Sequence, residues 1–200
     1  MKKQMAFFLA MLFGAAPVVF SQIKSGTWEL SLSGYMGSES SKIETTTSAG
    51  KFSADGDQKY LKLSLRSGYY LVTGLALEPE ILWFAAEGIK PGISLSGNLA
   101  YNLGVSQAPV ALFGLIGFGK ANGTPFVQDL ILRTSDKFDV DVLNLGAGAK
   151  FFLAKSVAFR TEYRFQRYHA ENSVRFGSLS GKQTRTTQAH NILLGLSVFL

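Results

Sequence analysis

The feature that most limits what this chain can fold into is a period of two in its apolar residues, recurring in seven segments, with an eighth segment apolar throughout. Trp28, Leu30 and Leu32 alternate with Glu29, Ser31 and Ser33, and Leu61, Leu63 and Leu65 with Lys62, Ser64 and Arg66. The same spacing sets Leu75, Leu77, Ile81 and Trp83 against Ala76, Glu78 and Glu80, and Ile93, Leu95, Leu99, Tyr101 and Leu103 against Ser94, Ser96, Asn98 and Asn102. Further on, Leu145, Ala147, Ala149 and Phe151 alternate with Asn144, Gly146, Gly148 and Lys150. Val157, Phe159, Tyr163 and Phe165 alternate with Arg160, Glu162, Arg164 and Gln166, and the last run carries Ile192, Leu194, Leu196, Val198 and Leu200 on one face. Successive side chains of a strand point to opposite faces, so each run reads as a strand with one apolar and one polar face. Residues 110–119 (VALFGLIGFG) are apolar at both parities and give no orientation. The expectation is eight strands, most about ten residues long, and no amphipathic helix.

The connections alternate in length. Short turns are expected around Val72-Thr73-Gly74, Gln107-Ala108-Pro109 and Ala154-Lys155, and long loops over 36–58, 86–92, 120–138 and 169–187. Extra structure around Leu130-Ile131-Leu132 has no assignable place. Short turns at one end and long loops at the other fit an eight-stranded antiparallel up-and-down transmembrane β-barrel, with turns in the periplasm and loops outside. Alternation alone does not say which face is wet, because a secreted lipocalin-like barrel would turn its apolar faces inward. Three features favour the membrane: the loop asymmetry, aromatic residues near strand ends (Trp28, Tyr69, Tyr70, Trp83, Phe84, Tyr101, Tyr168, Phe199), and a final run that ends on a strand.

Composition supports an exported chain. Residues 1–21 (MKKQMAFFLAMLFGAAPVVFS) have a basic start at Lys2 and Lys3, an apolar run from Met5 to Gly14 and small residues before Ser21. This is the layout of a secretory signal peptide, leaving 22–200 as the barrel domain. Pro17 and the shortness of the run oppose a spanning helix of about 20 residues. Removing Lys2 and Lys3 lowers the formal charge from +6 to +4, and export makes nucleic acid an unsuitable partner. The absence of Cys excludes disulfide scaffolds, thiol nucleophiles and Cys-based zinc sites. Charged residues make up 17% of the chain, below the roughly 25% usual in soluble domains, as expected if lipid covers half of every strand.

The runs GYYLVTGLALEPEILWF, GISLSGNLAYNLG and LNLGAGAKFFLAKSVAFRTEYRF resemble the small outer-membrane β-barrel domain family over about residues 26–200. The resemblance implies an eight-stranded barrel in the outer membrane of a Gram-negative-type bacterium, recognised by the barrel assembly machinery through its last strand. A C-terminal Phe is common in that family; here Phe199 precedes a terminal Leu200. The resemblance is to an architecture and hardly to an activity.

With lipid on the apolar faces, the polar faces line the lumen. The charged lumen set is then Lys62, Arg66, Lys150, Arg160 and Arg164 against Glu29, Glu78, Glu80 and Glu162, five positive against four negative. Glu78 and Glu80 lie on the strand hairpinned to that of Lys62 and Arg66, and Glu162 falls between Arg160 and Arg164 on one face. An eight-stranded barrel is just wide enough for side chains to fill, and unpaired charge there is expensive. A paired network and a plugged barrel are therefore expected; the alternative is a network that gates a small pore. Pro79 inside a strand removes a ladder donor and suggests a local bulge or a late strand start.

Candidate sites outside the lumen are few. His169 in EYRFQRYHAENS shares its parity with Phe165 and Arg167, on the lipid side. This stretch resembles the outer-membrane lipid A 3-O-deacylases, whose strand carries a His-x-Ser-Asn-Ala motif in which His activates Ser. His169 and Asn172 match, but Glu171 stands at the Ser position and Ser173 lies four residues on, about 13 Å along a strand. No catalytic residue is therefore assigned. Arg167, His169, Arg175, Lys182 and Arg185 gather around the last long loop and offer contacts to lipopolysaccharide phosphates. Asp55-Gly56-Asp57 and the Asp139/Asp141 pair lack the ligand count of a calcium loop. The glycine runs GFGKANG and GAGAK lack the strand–loop–helix setting of a phosphate loop. No metal or cofactor is expected, and His190 has no partner nameable from sequence. The reading is a monomeric, non-enzymatic envelope barrel, whose partners are outer-membrane lipid and lipopolysaccharide.

Overall fold

Each alternating segment forms a strand. The computed structural model describes residues 23–47, 50–86, 89–104, 109–122, 140–176 and 179–200. Within them run β1 (Trp28–Thr47), β2 (Gly50–Val72), β3 (Leu75–Ala86), β4 (Ile89–Gly104), β5 (Val110–Ala121), β6 (Val140–Ala154), β7 (Val157–Phe176) and β8 (Leu179–Phe199). Each pairs antiparallel with its sequence neighbour, and β8 returns to β1, closing the barrel. The expected signal peptide and the Leu130–Leu132 run lie outside the described residues.

The register fixes the barrel's dimensions. A row of paired residues that leaves β1 at Leu32 passes through Leu65, Ile81, Leu95, Lys120, Asp141, His169 and Thr186. It returns to β1 at Lys42, ten residues further along, so the shear is ten. With strands about 4.8 Å apart and about 3.3 Å of rise per residue, this shear tilts the strands by roughly 40° and gives a radius of roughly 8 Å. On β2 the outward apolar run from Leu61 to Leu71 is bounded above by the exposed Lys59. At that tilt the run is about 25 Å tall, the height of an outer-membrane apolar band.

Neighbour register also orients β5, which sequence left ambiguous. Ala111, Phe113 and Leu115 are buried in the lumen, and Leu112, Ile116 and Phe118 face outward. Gly74 at the β2–β3 hairpin has a φ of 88°, a left-handed conformation that suits glycine. Its carbonyl accepts hydrogen bonds from the backbone amide (2.6 Å) and the side-chain amide (3.1 Å) of Asn102, leaving no space for a Cβ.

Four expectations need correction. The strands are 12 to 23 residues long, not about ten. Consequently the segments 36–58 and 169–187 are mostly not loops: β1 and β2, and β7 and β8, continue past the membrane band as paired hairpins. Alternation of apolar with polar residues ends at the band edge, whereas backbone pairing does not need it. Similarly, β3 and β4 reach Ala86 and Ile89, leaving little of the loop expected over 86–92; between the described strands, the widest sequence interval separates β5 from β6. Third, four of the eight aromatics expected at the interface point inward: Tyr70, Phe84, Tyr168 and Phe199 are buried, while Trp28, Tyr69 and Tyr101 are exposed. Adjacent positions such as Tyr69 and Tyr70 must face opposite ways. Finally, Pro79 produces no bulge and no late start. It pairs with Gly97 on β4 in unbroken register. On its other side the β2–β3 ladder lapses between the pairs Arg66–Glu80 and Tyr69–Leu77, without a register shift. The missing N–H therefore costs pairing on one side only.

Candidate functional site

The polar parities of β1, β2, β3, β6 and β7 converge inside the barrel. All nine charged residues expected in the lumen are there: Glu29, Lys62, Arg66, Glu78, Glu80, Lys150, Arg160, Glu162 and Arg164 are each buried. They lie in layers. At the base, Ile23, Tyr70, Phe152 and Phe199 form a floor together with the small side chains of Ala76, Ala111 and Ala158.

Above the floor sits a first ionic cluster. Lys150 Nζ lies 2.6 Å from Glu29 Oε2, which also accepts a 2.7 Å hydrogen bond from the Tyr70 hydroxyl. Arg160 donates to both carboxylate oxygens of Glu78, at 3.3 and 3.1 Å. Its guanidinium also lies 4.3 Å from the centre of the Phe113 ring, whose face attracts the cation. A second cluster follows, in which Glu162 is held between three guanidinium groups: Arg66 at 2.6 Å, Arg160 at 3.1 Å and Arg164 at 2.5 Å. Glu80 accepts from Arg164 at 2.7 and 2.8 Å, from Asn98 at 3.0 Å and from the Ser64 hydroxyl. Arg160 touches Glu29, Glu78 and Glu162, and so joins the clusters.

An amide layer covers the ions. Asn144 donates to Asn98 Oδ1 at 3.1 Å, Gln166 donates to Asn144 Oδ1 at 2.9 Å, and Asn191 donates to Gln166 Oε1 at 3.1 Å. Lys62 belongs to this layer, donating to Gln166 Oε1 at 2.9 Å; its register partner is Phe84, and not a glutamate. Above it Phe84, Val140, Val142 and Tyr168 form an apolar cap with Ala121 and Ala170. Sequence reasoning found the charges but missed the amide relay and the inward tyrosines. The available signal was parity: Asn144, Gln166 and Tyr168 share the inward face with the charges on their strands, and Asn98 shares that of Ser94 on β4.

The lipid side is organised differently. At the upper edge of the band stand Lys120 and Asp141, paired at 2.5 Å with both side chains more than half exposed. His169 lies beside Asp141 in the register; its Nδ1 is 3.2 Å from Thr186 Oγ1 and its Nε2 3.5 Å from Glu171 Oε1. Arg167 is exposed one outward position lower. The remaining cationic candidates are spread along the hairpin: Arg175 opposite Ser180, Lys182 opposite Ser173 and Arg185 opposite Ala170, with side chains outside the described residues. His190 has a partner after all, the Tyr163 hydroxyl at 2.6 Å. Asp139 and the side chains of Asp55 and Asp57 lie outside the described residues; among those described, no group of three or more His, Asp or Glu gathers to hold a metal.

This architecture has known counterparts. The chain aligns with the outer membrane protein OprG from Pseudomonas aeruginosa at 13% identity and a TM-score of 0.52, covering 88% of this chain and 97% of that one. It aligns with the N-terminal β-barrel domain of OprF from the same organism at 14% identity and a TM-score of 0.50, covering 88% and 98%. At such identities the likeness is one of fold. No curated protein matches the sequence. The family model described as outer membrane protein beta-barrel domain matches residues 6–198. The chain therefore belongs to the outer membrane protein β-barrel domain family, and its place is the outer membrane.

Proposed function

We propose that this protein is a non-enzymatic barrel that serves envelope structure and surface interaction, with a plugged lumen and its working surface at the extracellular rim. The observation that carries the reading is the ionic pairing across the lumen. Lys150 and three arginines pair there with the four glutamates, and aromatic layers stand at both ends of the stack. Such an interior gives up no charge to a passing solute. Specificity then falls to the outward rim and the two long hairpins. Arg167 and His169 meet lipopolysaccharide phosphates at the band edge, and the hairpin that carries Arg175, Lys182 and Arg185 adds cationic sequence beyond it. The barrel acts as a monomer and reaches the membrane through a signal peptide and the assembly machinery, which takes up β8. Neutralising Arg167, Arg175, Lys182 and Arg185 together should weaken lipopolysaccharide binding and flatten its salt dependence. Unchanged binding would overturn the rim assignment.

A second reading is favoured by one observation, His169 standing between the Thr186 hydroxyl and the Glu171 carboxylate on the lipid side. A hydroxyl, an imidazole and a carboxylate in contact are the parts of an acyl-transfer site, as in a lipid A deacylase-like barrel. Mass spectrometry of lipid A from cells with and without the protein separates the readings. Identical lipid A supports the non-enzymatic barrel; loss of an acyl chain that requires both His169 and Thr186 would replace it.

A further inference from the structure

The lipid-facing wall carries a trench that the lumen does not explain. Large outward aliphatics cover most of the band, but one row across β2, β3 and β4 holds only Ser67, Pro79 and Gly97. Pro79 pairs with Gly97, and the β2–β3 pairs on either side set Ser67 opposite Pro79. Leu65, Ile81 and Leu95 form the ridge above this row, and Tyr69, Leu77 and Leu99 the ridge below it. Leu30 closes the lower end, and Phe118, paired with Gly97, stands at the upper end. The space is about 740 Å³, and Lys120 lines its upper corner. A Cβ added at Gly97 meets nothing within 4 Å, so the floor is open.

We propose that this trench holds one acyl chain of an anionic outer-leaflet lipid, with the headgroup phosphate at Lys120. The occupant follows from location and charge. This face lies in the hydrocarbon region, so acyl chains are what covers it. The trench follows the row of paired residues and rises to the band edge at Phe118, where a chain entering from the outer leaflet begins. Lys120 is the next outward residue above. Its pair with Asp141 is solvent-exposed at both ends, and an exposed ion pair is weak enough to share its cation with a phosphate. The inference rests on the outer-membrane location and not on the role proposed for the rim.

The test is native mass spectrometry of the protein released from bilayer discs of phosphatidylglycerol or of phosphatidylcholine with the same chains. The wild-type protein should retain one lipid, preferentially phosphatidylglycerol. Gly97→Leu fills the trench and should lose that adduct. Gly114→Leu is the matched control, because its outward position lies outside the trench and its Cβ meets nothing closer than 3.8 Å; it should keep the adduct. Lys120→Gln should erase the headgroup preference. Gel mobility with and without heating confirms that each variant is folded. Absence of a wild-type adduct, or an equal adduct in Gly97→Leu, overturns the proposal. A dimer that Gly97→Leu abolishes would assign the trench to a second copy and also overturn it.

Discussion

At the scale of single residues, Glu162 is the position where the interior is least tolerant. Three guanidinium groups lie within 3.1 Å of its carboxylate, and none of the four groups is exposed. Removing one partner from a buried ionic group costs about 3–5 kcal/mol, because the opposite charges remain buried and uncompensated. Glu162→Gln keeps the shape and removes the charge. It should lower the unfolding free energy by about that amount, read from urea titration in lipid vesicles; a loss below about 0.5 kcal/mol would show that water or an ion takes the carboxylate's place. Glycines give a second contrast. A Cβ at Gly148 would meet the Thr161 carbonyl and the Phe113 ring, whereas one at Gly97 meets open space. Gly148→Ala should therefore cost about 1–3 kcal/mol, and Gly97→Ala should stay within about 0.5 kcal/mol of the wild type in the same titration.

At the scale of the strand, parity was legible and pairing was not. Period two set all nine lumen charges on the parity that the structure buries, because each face of a tilted wall meets only one solvent. It could not orient residues 110–119, where small and apolar residues occupy both parities and only the pairs with β4 and β6 decide. Nor could it find where β1, β2, β7 and β8 end, because their hairpins above the band are held by backbone hydrogen bonds that polar sequences make as readily as apolar ones. Aromatic identity misled: Tyr70, Phe84, Tyr168 and Phe199 resembled an interfacial girdle but serve as the floor and the cap. Pro79 misled in the other direction, because the register absorbs it without a bulge. Its effect is confined to the lapse opposite Ser67 and Gly68. The amides of β2 next to that lapse should therefore exchange with deuterium faster than those at Leu63 and Leu65. Pro79→Ala, which restores the N–H, should slow them, and equal exchange in both proteins would place the lapse elsewhere.

At the scale of the whole molecule, the question is whether the charges or the aromatic layers close the barrel. A radius of roughly 8 Å leaves an interior that side chains can fill, so on the proposed plugged reading both contribute to the closed state. They differ in what their removal does. The ionic clusters lie between the floor of Tyr70, Phe152 and Phe199 and the cap of Phe84 and Tyr168. Breaking a pair between them frees a charge without clearing either end. Wild-type protein in a planar bilayer should show no stable conductance, and Glu162→Gln should show none either, although it is less stable. If instead Glu162→Gln opens a steady step, the charges are a gate and the plugged reading fails. Truncating the floor as well, with Phe152→Ala and Phe199→Ala, should give at most brief, noisy openings, because the cap and the amide layer remain. Stability and conductance should thus separate: charge substitutions move the urea midpoint, and only combined loss of both aromatic layers moves the current.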